Sequence, residues 1–239
     1  MLYLVATPIG HLQDITLRAL ETLKSADYIL AEDTRKTGLM LLFHKVSPHP
    51  PLISFHEYNE QSRLSEILQY LKNDKNVALV SNAGTPGLSD PGFKLIRECL
   101  QNGLKVEAIP GPSAVITALV LSGLPTDKFF FLGFLPRKSG PRQNLFRQLL
   151  AVNQCLKTTY IAFESPYRLQ KTLEDLQTVL GDVSIAVGRE MTKMHEEVFR
   201  GPIREAINFF LQKPPKGEIT LVFRLAESSP IPSSRAQSA

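Results

Sequence analysis

The sequence predicts an α/β protein whose N-terminal half forms a mainly parallel sheet. Short apolar runs alternate with segments that carry apolar residues at helical spacing, up to about residue 121. Two of these runs, at 77–80 and 104–109, open into loops rich in glycine and proline, and helical patterns follow. Parallel strands need such crossover helices, and open α/β sheets place their ligands at the carboxyl ends of the strands.

Composition and charge indicate a globular protein. The chain has 239 residues, of which 43% are hydrophobic and 21% charged, and its formal net charge is +4. This length allows one large or two small domains, and the charge permits a polyanionic partner without requiring one. No run approaches the roughly 20 apolar residues of a membrane span. The N-terminal MLYLV predicts a first strand rather than a signal peptide. We therefore expect no membrane partner and a cytoplasmic location, where the two cysteines stay reduced.

The first half of the chain predicts five strands, each an apolar run with a turn or polar residues at its exit. They lie at 2–6, 28–31, 52–55, 77–80 and 104–109. Asp14 or Thr16 can cap the first helix, because short oxygen-bearing side chains accept hydrogen bonds from free N–H groups at helix starts. After the fourth strand, Phe93, Ile96 and Leu100 predict the apolar face of a helix over 93–101.

A break in the pattern at 122–126, Ser-Gly-Leu-Pro-Thr, predicts a domain boundary. We expect an N-terminal α/β domain at 1–123, a C-terminal α/β domain at 124–227 and a disordered tail at 228–239, which is rich in serine and proline. Further strands are predicted in the second half at 129–132, 158–163, 183–188, 196–200 and 219–225.

Several familiar catalytic motifs are missing from the sequence. It has no G-x-G-x-x-G after a strand, no Walker A motif, no H-E-x-x-H and no G-x-S-x-G. This argues against a dinucleotide oxidoreductase, a P-loop NTPase, a zincin and an α/β-hydrolase. Three Gly/Pro loops at strand exits remain, at 7–10, 82–92 and 110–113. Such loops offer backbone groups to a small ligand, although well-made turns have the same composition.

Charged residues near two other strand exits have more than one interpretation. Asp33 and Arg35, together with Arg18, form either a substrate-facing group or a helix cap with a surface ion pair. The HEYNE segment at 56–60 is too compact for an obvious metal site, so it predicts a solvated helix start. We expect no metal.

The segment 137–147 is the best nucleic-acid signal in the sequence. It carries basic residues and no acidic one: Arg137, Lys138, Arg142 and Arg147. Cations on a flexible loop pair with phosphates, and the alternative is a solvated basic loop. Further on, a strand exit is followed by four polar residues that either reach an RNA backbone or form an internal salt-bridge network: Arg189, Glu190, Lys193 and His195.

Several strings together resemble one family. They occur in the expected order between Leu2 and Phe223: LYLVATPIGHLQDITLRAL, AEDTRKTG, HEYNE, ALVSNAGTPGLSDPG, IPGPSA, FLGFLPRK, FESPYRL, GREMTK and KGEITLV. The family is that of bacterial small-subunit ribosomal RNA methyltransferases, which modify the ribose 2′-oxygen of a cytidine in the decoding centre. It belongs to the tetrapyrrole methylase superfamily. The sequence departs from the family pattern at Asn82, where aspartate is usual, and at His11, where asparagine is usual.

The resemblance implies a fold, a cofactor and partners. The fold would be tetrapyrrole methylase-like, with a mainly parallel N-terminal sheet and a mixed C-terminal sheet. S-adenosyl-L-methionine would bind between the two domains of a homodimer, and the substrate would be small-subunit ribosomal RNA or the 30S subunit. By motif position, the cofactor-binding residues would be Ile9, Gly84, Thr85, Pro86, Leu88, Ser113, Ala114, Phe163, Glu164, Lys216, Gly217 and Glu218. The RNA-binding residues would be Arg18, Arg35, Arg137, Lys138, Arg142, Arg147, Arg189 and Lys193.

The chemistry that the resemblance implies needs little from the protein beyond positioning. The methyl donor is already electrophilic, and the ribose hydroxyl has to lose a proton to a base or a water chain. Glu164, Asp33 and Glu190 are the candidate bases. Two alternatives stay open: a methylase of the same superfamily with a tetrapyrrole or other small substrate, and a non-catalytic RNA-binding module.

Overall fold

The computed structural model describes residues 1–225 and the backbone of residues 234–238. The chain has two compact units, Met1–Ser113 and Ala114–Ala239. The first of them carries the predicted parallel sheet, and the second carries the predicted mixed sheet.

The first unit contains a five-stranded sheet with the order β3-β2-β4-β1-β5, and all neighbouring strands pair in parallel. The strands are β1 (Leu2–Val5), β2 (Tyr28–Ala31), β3 (Leu52–Ser54), β4 (Val77–Val80) and β5 (Val106–Ile109). The helices are a 3₁₀ turn at Leu12–Asp14, α1 (Leu17–Ser25), α2 (Thr34–Phe43), α3 (Glu60–Lys72) and α4 (Phe93–Gln101). This arrangement confirms the predicted parallel sheet.

Local sequence explains these elements. All four residues of β4 are buried, as expected for a central strand covered on both faces. The Thr16 side chain caps α1 by accepting a hydrogen bond from the Ala19 N–H at 3.1 Å. The predicted face of α4 is wrong, because Phe93 and Leu100 are exposed while Leu95 and Cys99 are buried. On a 3.6-residue helix, positions 95, 96 and 99 fall within one arc of about 100°, and positions 93 and 100 lie outside it.

The second unit contains a six-stranded sheet with the order β11-β9-β8-β10-β7-β6. Strands β6 and β7 pair in parallel, and the other neighbours are antiparallel. The strands are β6 (Phe129–Phe134), β7 (Thr159–Glu164), β8 (Ser184–Arg189), β9 (Glu197–Pro202), β10 (Ile219–Arg224) and β11 (Ser234–Ser238). The helices are α5 (Ala114–Ser122), α6 (Ser139–Cys155), α7 (Leu169–Leu180) and α8 (Ile203–Gln212).

Packing moves the domain boundary from its predicted position after residue 123. Helix α5 packs against β8 and β10, so it belongs to the second unit, and the division follows Ser113. The main core of this unit lies between the sheet and helices α6, α7 and α8, where buried residues such as Phe146, Leu173 and Phe210 meet. The Ser-Gly-Leu-Pro-Thr break at 122–126 therefore marks a turn inside the second unit.

Two more expectations about the second half need correction. The segment 137–147, predicted to be a flexible loop, is a short turn followed by α6 from Ser139 onwards. Gly140 and Pro141 lie in the first turn of this helix, where proline is tolerated because the N–H groups there have no intrahelical acceptor. In the tail that was predicted to be disordered, Ser234–Ser238 forms a strand paired with β9. Residues 226–233 and 239 lie outside the described residues.

Candidate functional site

The three Gly/Pro loops of the first unit converge at one edge of its sheet. The Thr7 N–H donates to the Gly84 carbonyl at 2.9 Å, and the Gly84 N–H donates to the Thr7 carbonyl at 3.0 Å. A Cβ on Gly111 would lie 3.1 Å from the Ala6 Cβ, and one on Gly84 would lie 3.8 Å from the Pro112 carbonyl oxygen. The strand order explains this convergence, because β4, β1 and β5 are neighbours whose carboxyl ends share one edge.

A buried carboxylate holds the longest of these loops. The Oε1 atom of Glu60 accepts a hydrogen bond from the Gly92 N–H at 3.1 Å, and Glu60 is only 6% exposed. Gly92 has a φ of +130°, and a Cβ there would lie 2.7 Å from Leu79 Cδ2. Only glycine is compatible with this backbone and this close approach. The HEYNE segment is therefore not simply a solvated helix start, since its last residue anchors the loop at 82–92.

The cofactor-binding residues predicted in the first unit belong to these converging loops. Ile9, Gly84 and Pro86 are buried, whereas Thr85 and Leu88 are exposed and Ser113 is half-buried. The two departures from the family pattern, His11 and Asn82, are both exposed. The buried members shape the loops, and the exposed members leave side chains and backbone accessible at the surface.

In the second unit, Phe163 and Glu164 end strand β7. The Phe163 ring packs against the rings of Phe131 and Phe134, with centroids 5.0 and 5.4 Å away. The Glu164 carboxylate is fully buried and pairs with Arg168. It also accepts hydrogen bonds from the Ser165 N–H and the Thr172 hydroxyl, both at 2.6 Å. Its oxygens are thus already engaged by three donors.

A second carboxylate of this unit, Glu190, contacts the Lys216–Glu218 segment. Its Oε1 atom accepts hydrogen bonds from the Glu218 N–H at 2.8 Å and from Lys193 Nζ at 2.9 Å. Burial raises the pKa of Glu190, but the Glu218 N–H and Lys193 outweigh this, and the pKa lies below its usual value. Burial lowers the pKa of Lys193, but its two carboxylate partners raise it above the usual value. Glu190 and Lys193 are therefore a charged pair near neutral pH.

The third candidate base, Asp33, caps helix α2. Its carboxylate accepts hydrogen bonds from the backbone N–H groups of Arg35 at 3.0 Å and Lys36 at 3.4 Å. The pKa of Asp33 is lowered, chiefly by a hydrogen bond from the Arg35 side chain. The helix-cap interpretation of Asp33 thus describes what this side chain does in the structure.

The predicted RNA-binding cations differ in their availability. Arg18, Arg35, Arg137, Lys138 and Arg147 are exposed. Their positive charges therefore lie where a polyanion can reach them.

The other three cations are buried or half-buried and pair with carboxylates. Among the exposed cations, Arg18 also pairs with Glu107 at 3.7 Å and Arg35 with Asp33 at 3.3 Å, but both pairs lie at the surface. Arg142 is a correction to the prediction, because it is only 2% exposed and forms an ion pair with Asp175. The side chain of Arg189 is 16% exposed and pairs with Glu197 at 3.2 Å. Lys193 pairs with Glu190 and Glu218, both at 2.9 Å. For the segment that starts at Arg189, the internal salt-bridge network is the arrangement present.

Sequence reasoning missed two anchoring carboxylates, Glu60 and Asp175. The signal for Asp175 was its place among Thr172, Leu173 and Leu176 on the apolar face of α7, since a buried charge has to have a partner. Glu60 gave no comparable signal, because glutamate in the first turn of a helix is usual at the surface.

Neither a cluster of metal-ligating side chains nor a helix able to span a membrane is found in the part of the chain that the structure describes. Within residues 1–225, no group of three or more His, Cys, Asp or Glu side chains is placed to hold a metal ion. None of the helices in this region is long and apolar enough to cross a membrane.

Comparison with known proteins identifies relatives along most of the chain. The family described as Tetrapyrrole (Corrin/Porphyrin) Methylases matches residues 1–207. The chain is 49% identical to the ribosomal RNA small subunit methyltransferase I of Thermotoga maritima over 221 residues, which cover 92% of this chain and 96% of that one. It is 48% identical to the protein of the same name from Synechocystis over 234 residues, which cover 98% of this chain and 82% of that one.

Solved structures show the same fold at low identity. Diphthine synthase has a TM-score of 0.69 at 16% identity, covering 93% of this chain and 89% of that one. The uroporphyrin-III-C-methyltransferase of Thermus thermophilus has a TM-score of 0.62 at 18% identity, covering 92% of this chain and 93% of that one. The family match and the two near-half identities together decide the classification. The chain belongs to the tetrapyrrole methylase family and, within it, to the family of ribosomal RNA small subunit methyltransferase I.

Proposed function

We propose that this protein transfers a methyl group from S-adenosyl-L-methionine to the ribose 2′-oxygen of a cytidine in the decoding centre of small-subunit ribosomal RNA. The convergence of the three Gly/Pro loops at one sheet edge carries this proposal. Among α/β proteins that edge is where ligands bind. The names of relatives at nearly half identity supply the substrate class, small-subunit ribosomal RNA.

The residues of the first unit suit a small ligand held largely by backbone. Gly84 and Gly111 bring the backbones of their loops within van der Waals distance of neighbouring loops, where any larger side chain would meet Ile9 or Ala6. The hydrogen bond from the Gly92 N–H to Glu60 fixes the C-terminal end of the loop at 82–92. A preordered loop of this kind loses little conformational freedom on binding.

In the second unit, we propose that Ala114, Phe163, Glu164 and the segment Lys216–Glu218 also bind the cofactor. The Phe163 ring is half-buried between two other phenylalanine rings, which suits contact with an apolar or aromatic part of a ligand. The exposed Lys216 and Glu218 offer charge and backbone groups. When bound, S-adenosyl-L-methionine supplies an electrophilic methyl group on a sulfonium.

We infer that the protein contributes orientation and water exclusion more than base strength. All three candidate carboxylates are engaged: Asp33 caps a helix, Glu164 accepts from three donors, and Glu190 pairs with Lys193. A general base works best with a pKa near the working pH and a free lone pair. A ribose hydroxyl held in line with the methyl donor requires only a weak base or a water molecule.

For RNA binding, we propose that the exposed cations Arg18, Arg35, Arg137, Lys138 and Arg147 contact phosphates. Each such contact contributes an affinity that falls with salt. Arg189 and Lys193 would contact RNA only through N–H groups that are not bonded to their carboxylate partners.

We further propose that the protein is a homodimer and that it acts in the cytoplasm. Light scattering coupled to size-exclusion chromatography measures the mass and so tests the dimer.

Two other functions are less well supported. A tetrapyrrole methylase is an alternative, but the enzymes named for such substrates share only the fold, whereas the relatives at nearly half identity are named for ribosomal RNA. A non-catalytic RNA-binding module is the other alternative. Equilibrium dialysis with labelled S-adenosyl-L-methionine tests it, since such a module would not bind the cofactor.

The decisive experiment uses 30S subunits from cells that lack this methylation. The protein and methyl-labelled S-adenosyl-L-methionine are added, and the recovered RNA is hydrolysed in alkali. We expect about one methyl group per subunit in an alkali-resistant dinucleotide that begins with cytidine, because a 2′-O-methyl group blocks cleavage of the adjacent phosphodiester. Label in mononucleotides would instead indicate a base as the acceptor, and no label in RNA would reject the proposal.

A further inference from the structure

Two arginine side chains donate hydrogen bonds to the backbone of the turn at 135–138, which joins β6 to α6. Arg142 Nη1 donates hydrogen bonds to the carbonyl oxygens of Pro136 at 3.1 Å and Arg137 at 3.2 Å. Arg168 Nη1 donates to the carbonyl oxygen of Leu135 at 3.3 Å. Three consecutive carbonyl groups of this turn therefore accept hydrogen bonds from guanidinium groups.

Asp175 on α7 fixes the orientation of Arg142. Arg142 Nε donates to Asp175 Oδ2 at 2.9 Å, and Arg142 Nη2 pairs with the same oxygen. The other oxygen, Oδ1, accepts hydrogen bonds from the Ser139 hydroxyl at 2.8 Å and from Gln143 Nε2 at 2.7 Å. The two residues are 2% and 8% exposed, so the pair is almost completely shielded from water.

Such a buried pair fixes geometry more than it stabilises the fold. Removing two charges from water has a large free-energy cost, and a buried ion pair is often no more stabilising than an apolar pair of similar volume. The planar guanidinium of Arg142 instead aligns three partners at once, two backbone carbonyls and one carboxylate. Its effect is therefore to give the turn a single backbone conformation.

Two of the four side chains of this turn are exposed, whereas the Leu135 side chain is buried in the core. Arg137 and Lys138 are both exposed, while the carbonyls of residues 135–137 are bonded to the arginines. No acidic residue occurs between Lys128 and Arg147, so no carboxylate from this stretch neutralises the two cations. Two adjacent exposed cations on a fixed backbone suit the phosphates of a nucleic acid.

We propose that Arg142 and Asp175 are positioning residues, which hold the turn so that Arg137 and Lys138 contact phosphates of the RNA substrate. This inference rests on the proposed function. A turn that is already ordered in the free protein loses little conformational entropy when it binds, so fixing it increases the affinity for RNA. Arg142 itself does not touch the RNA.

The test is a double-mutant cycle between the buried pair and the exposed cations. Asp175→Asn removes the charge but keeps the shape, and Arg137→Ala/Lys138→Ala removes the cations. Binding of unmethylated 30S subunits is measured by filter retention at one salt concentration. Asp175→Asn should weaken binding on the order of tenfold, with an unchanged KM for S-adenosyl-L-methionine and an unchanged kcat at saturating subunit concentration.

The decisive variant combines all three substitutions. If the pair acts through the cations, Asp175→Asn should weaken binding less than about twofold once Arg137 and Lys138 are gone, since coupled sites are not additive. A full tenfold loss in that background would overturn the inference, as would a parallel loss of cofactor affinity. The matched control is Asp182→Asn, which breaks an exposed ion pair with Arg204 in the same unit. It should change neither the affinity for 30S subunits nor the affinity for the cofactor.

A second variant covers the possibility that Asp175→Asn does not fold. Arg142→Met/Asp175→Leu replaces the ion pair with an apolar pair and should fold, yet it loses the bonds to the turn. It should bind 30S subunits as weakly as Asp175→Asn is expected to. If this folded variant bound 30S subunits with wild-type affinity, the inference would be overturned but the proposed function would not. A wild-type protein that neither bound nor methylated 30S subunits would overturn the proposed function and this inference with it.

Discussion

The carboxylate of Glu190 occupies the space that a side chain at Gly217 would need. A Cβ on Gly217 would overlap both Cδ and Oε1 of Glu190, and Gly217 has a φ of +88°. The same Oε1 atom accepts the hydrogen bond from the Glu218 N–H. The Lys216–Glu218 segment therefore takes its position from a residue in the GREMTK motif, and glycine at 217 makes this contact possible.

Gly217→Ala should impair cofactor binding more than folding. The left-handed backbone alone costs about 1–2 kcal/mol for alanine, and the overlap with Glu190 displaces the segment that we propose binds the cofactor. We expect the KM for S-adenosyl-L-methionine to rise about tenfold or more, which is about 1.4 kcal/mol of binding free energy per tenfold. Steady-state kinetics and urea unfolding measure the two effects.

Gly181→Ala is the matched control for this substitution. Gly181 has a φ of +78° in the same unit, but a Cβ there would meet nothing within 4 Å. It should lose stability from backbone strain and keep the wild-type KM. Equal effects of the two substitutions on KM would contradict the role of the Glu190 contact.

Glu60→Ala should destabilise the first unit and loosen the loop at 82–92. It leaves the buried Gly92 N–H without its carboxylate acceptor, and an unsatisfied buried donor costs about 1–3 kcal/mol. Glu60→Gln keeps an acceptor oxygen and should lose less. Urea unfolding and calorimetric titration with S-adenosyl-L-methionine measure stability and affinity.

A control on the same helix is Glu66→Ala, whose half-exposed carboxylate pairs with Arg63. Surface pairs of this kind contribute about 0–1 kcal/mol. Should Glu60→Ala prove no more destabilising than Glu66→Ala, the anchoring role of Glu60 is wrong.

Most of the fold of the first unit was predictable, because its determinants are local. Apolar runs set the five strands, and the observed ends of β2 and β4 are those predicted. Glycine and proline mark the loops because glycine permits backbone conformations that other residues rarely adopt, whereas proline restricts φ. Strand exits on neighbouring parallel strands then meet at one edge, which explains why the candidate site of this unit was foreseeable.

The failures concern contacts that are distant along the chain. Arg142 looks like a member of a basic loop, but its partner Asp175 lies 33 residues away and is on another helix. Helix α5 looks like the last helix of the parallel unit, but tertiary packing assigns it to the second unit. Neither composition nor periodicity contains this information, because both describe neighbours in sequence only.

The ion pair of Glu190 and Lys193 should stabilise the fold over a wide pH range. Glu190 has a pKa below the usual 4.5, so its contribution is complete above that value and is lost as the pH falls through the lower folded-state pKa. Lys193 has a pKa above the usual 10.5, so its contribution is complete below that value and is lost as the pH rises through the higher folded-state pKa.

We therefore expect Glu190→Gln to be less stable than the wild type by a constant amount between about pH 5 and 10. The difference should shrink in more acidic solution. Urea unfolding at a series of pH values measures it. A difference that vanished near pH 7 would instead mean that Glu190 titrates near neutrality, as a general base does.

Two substitutions of Asp33 separate its cap from a role in proton transfer. Asn caps helices about as well as Asp, so Asp33→Asn should keep the bonds to the N–H groups of Arg35 and Lys36 and lose only the small contribution of the surface ion pair with Arg35. Asp33→Ala loses the cap and should be less stable. Because a lowered pKa makes Asp33 a weak base, we expect Asp33→Asn to retain methyl transfer within about tenfold. Single-turnover rates with 30S subunits measure this, and a loss of about 10²–10⁴-fold with unchanged stability and binding would assign the proton to Asp33.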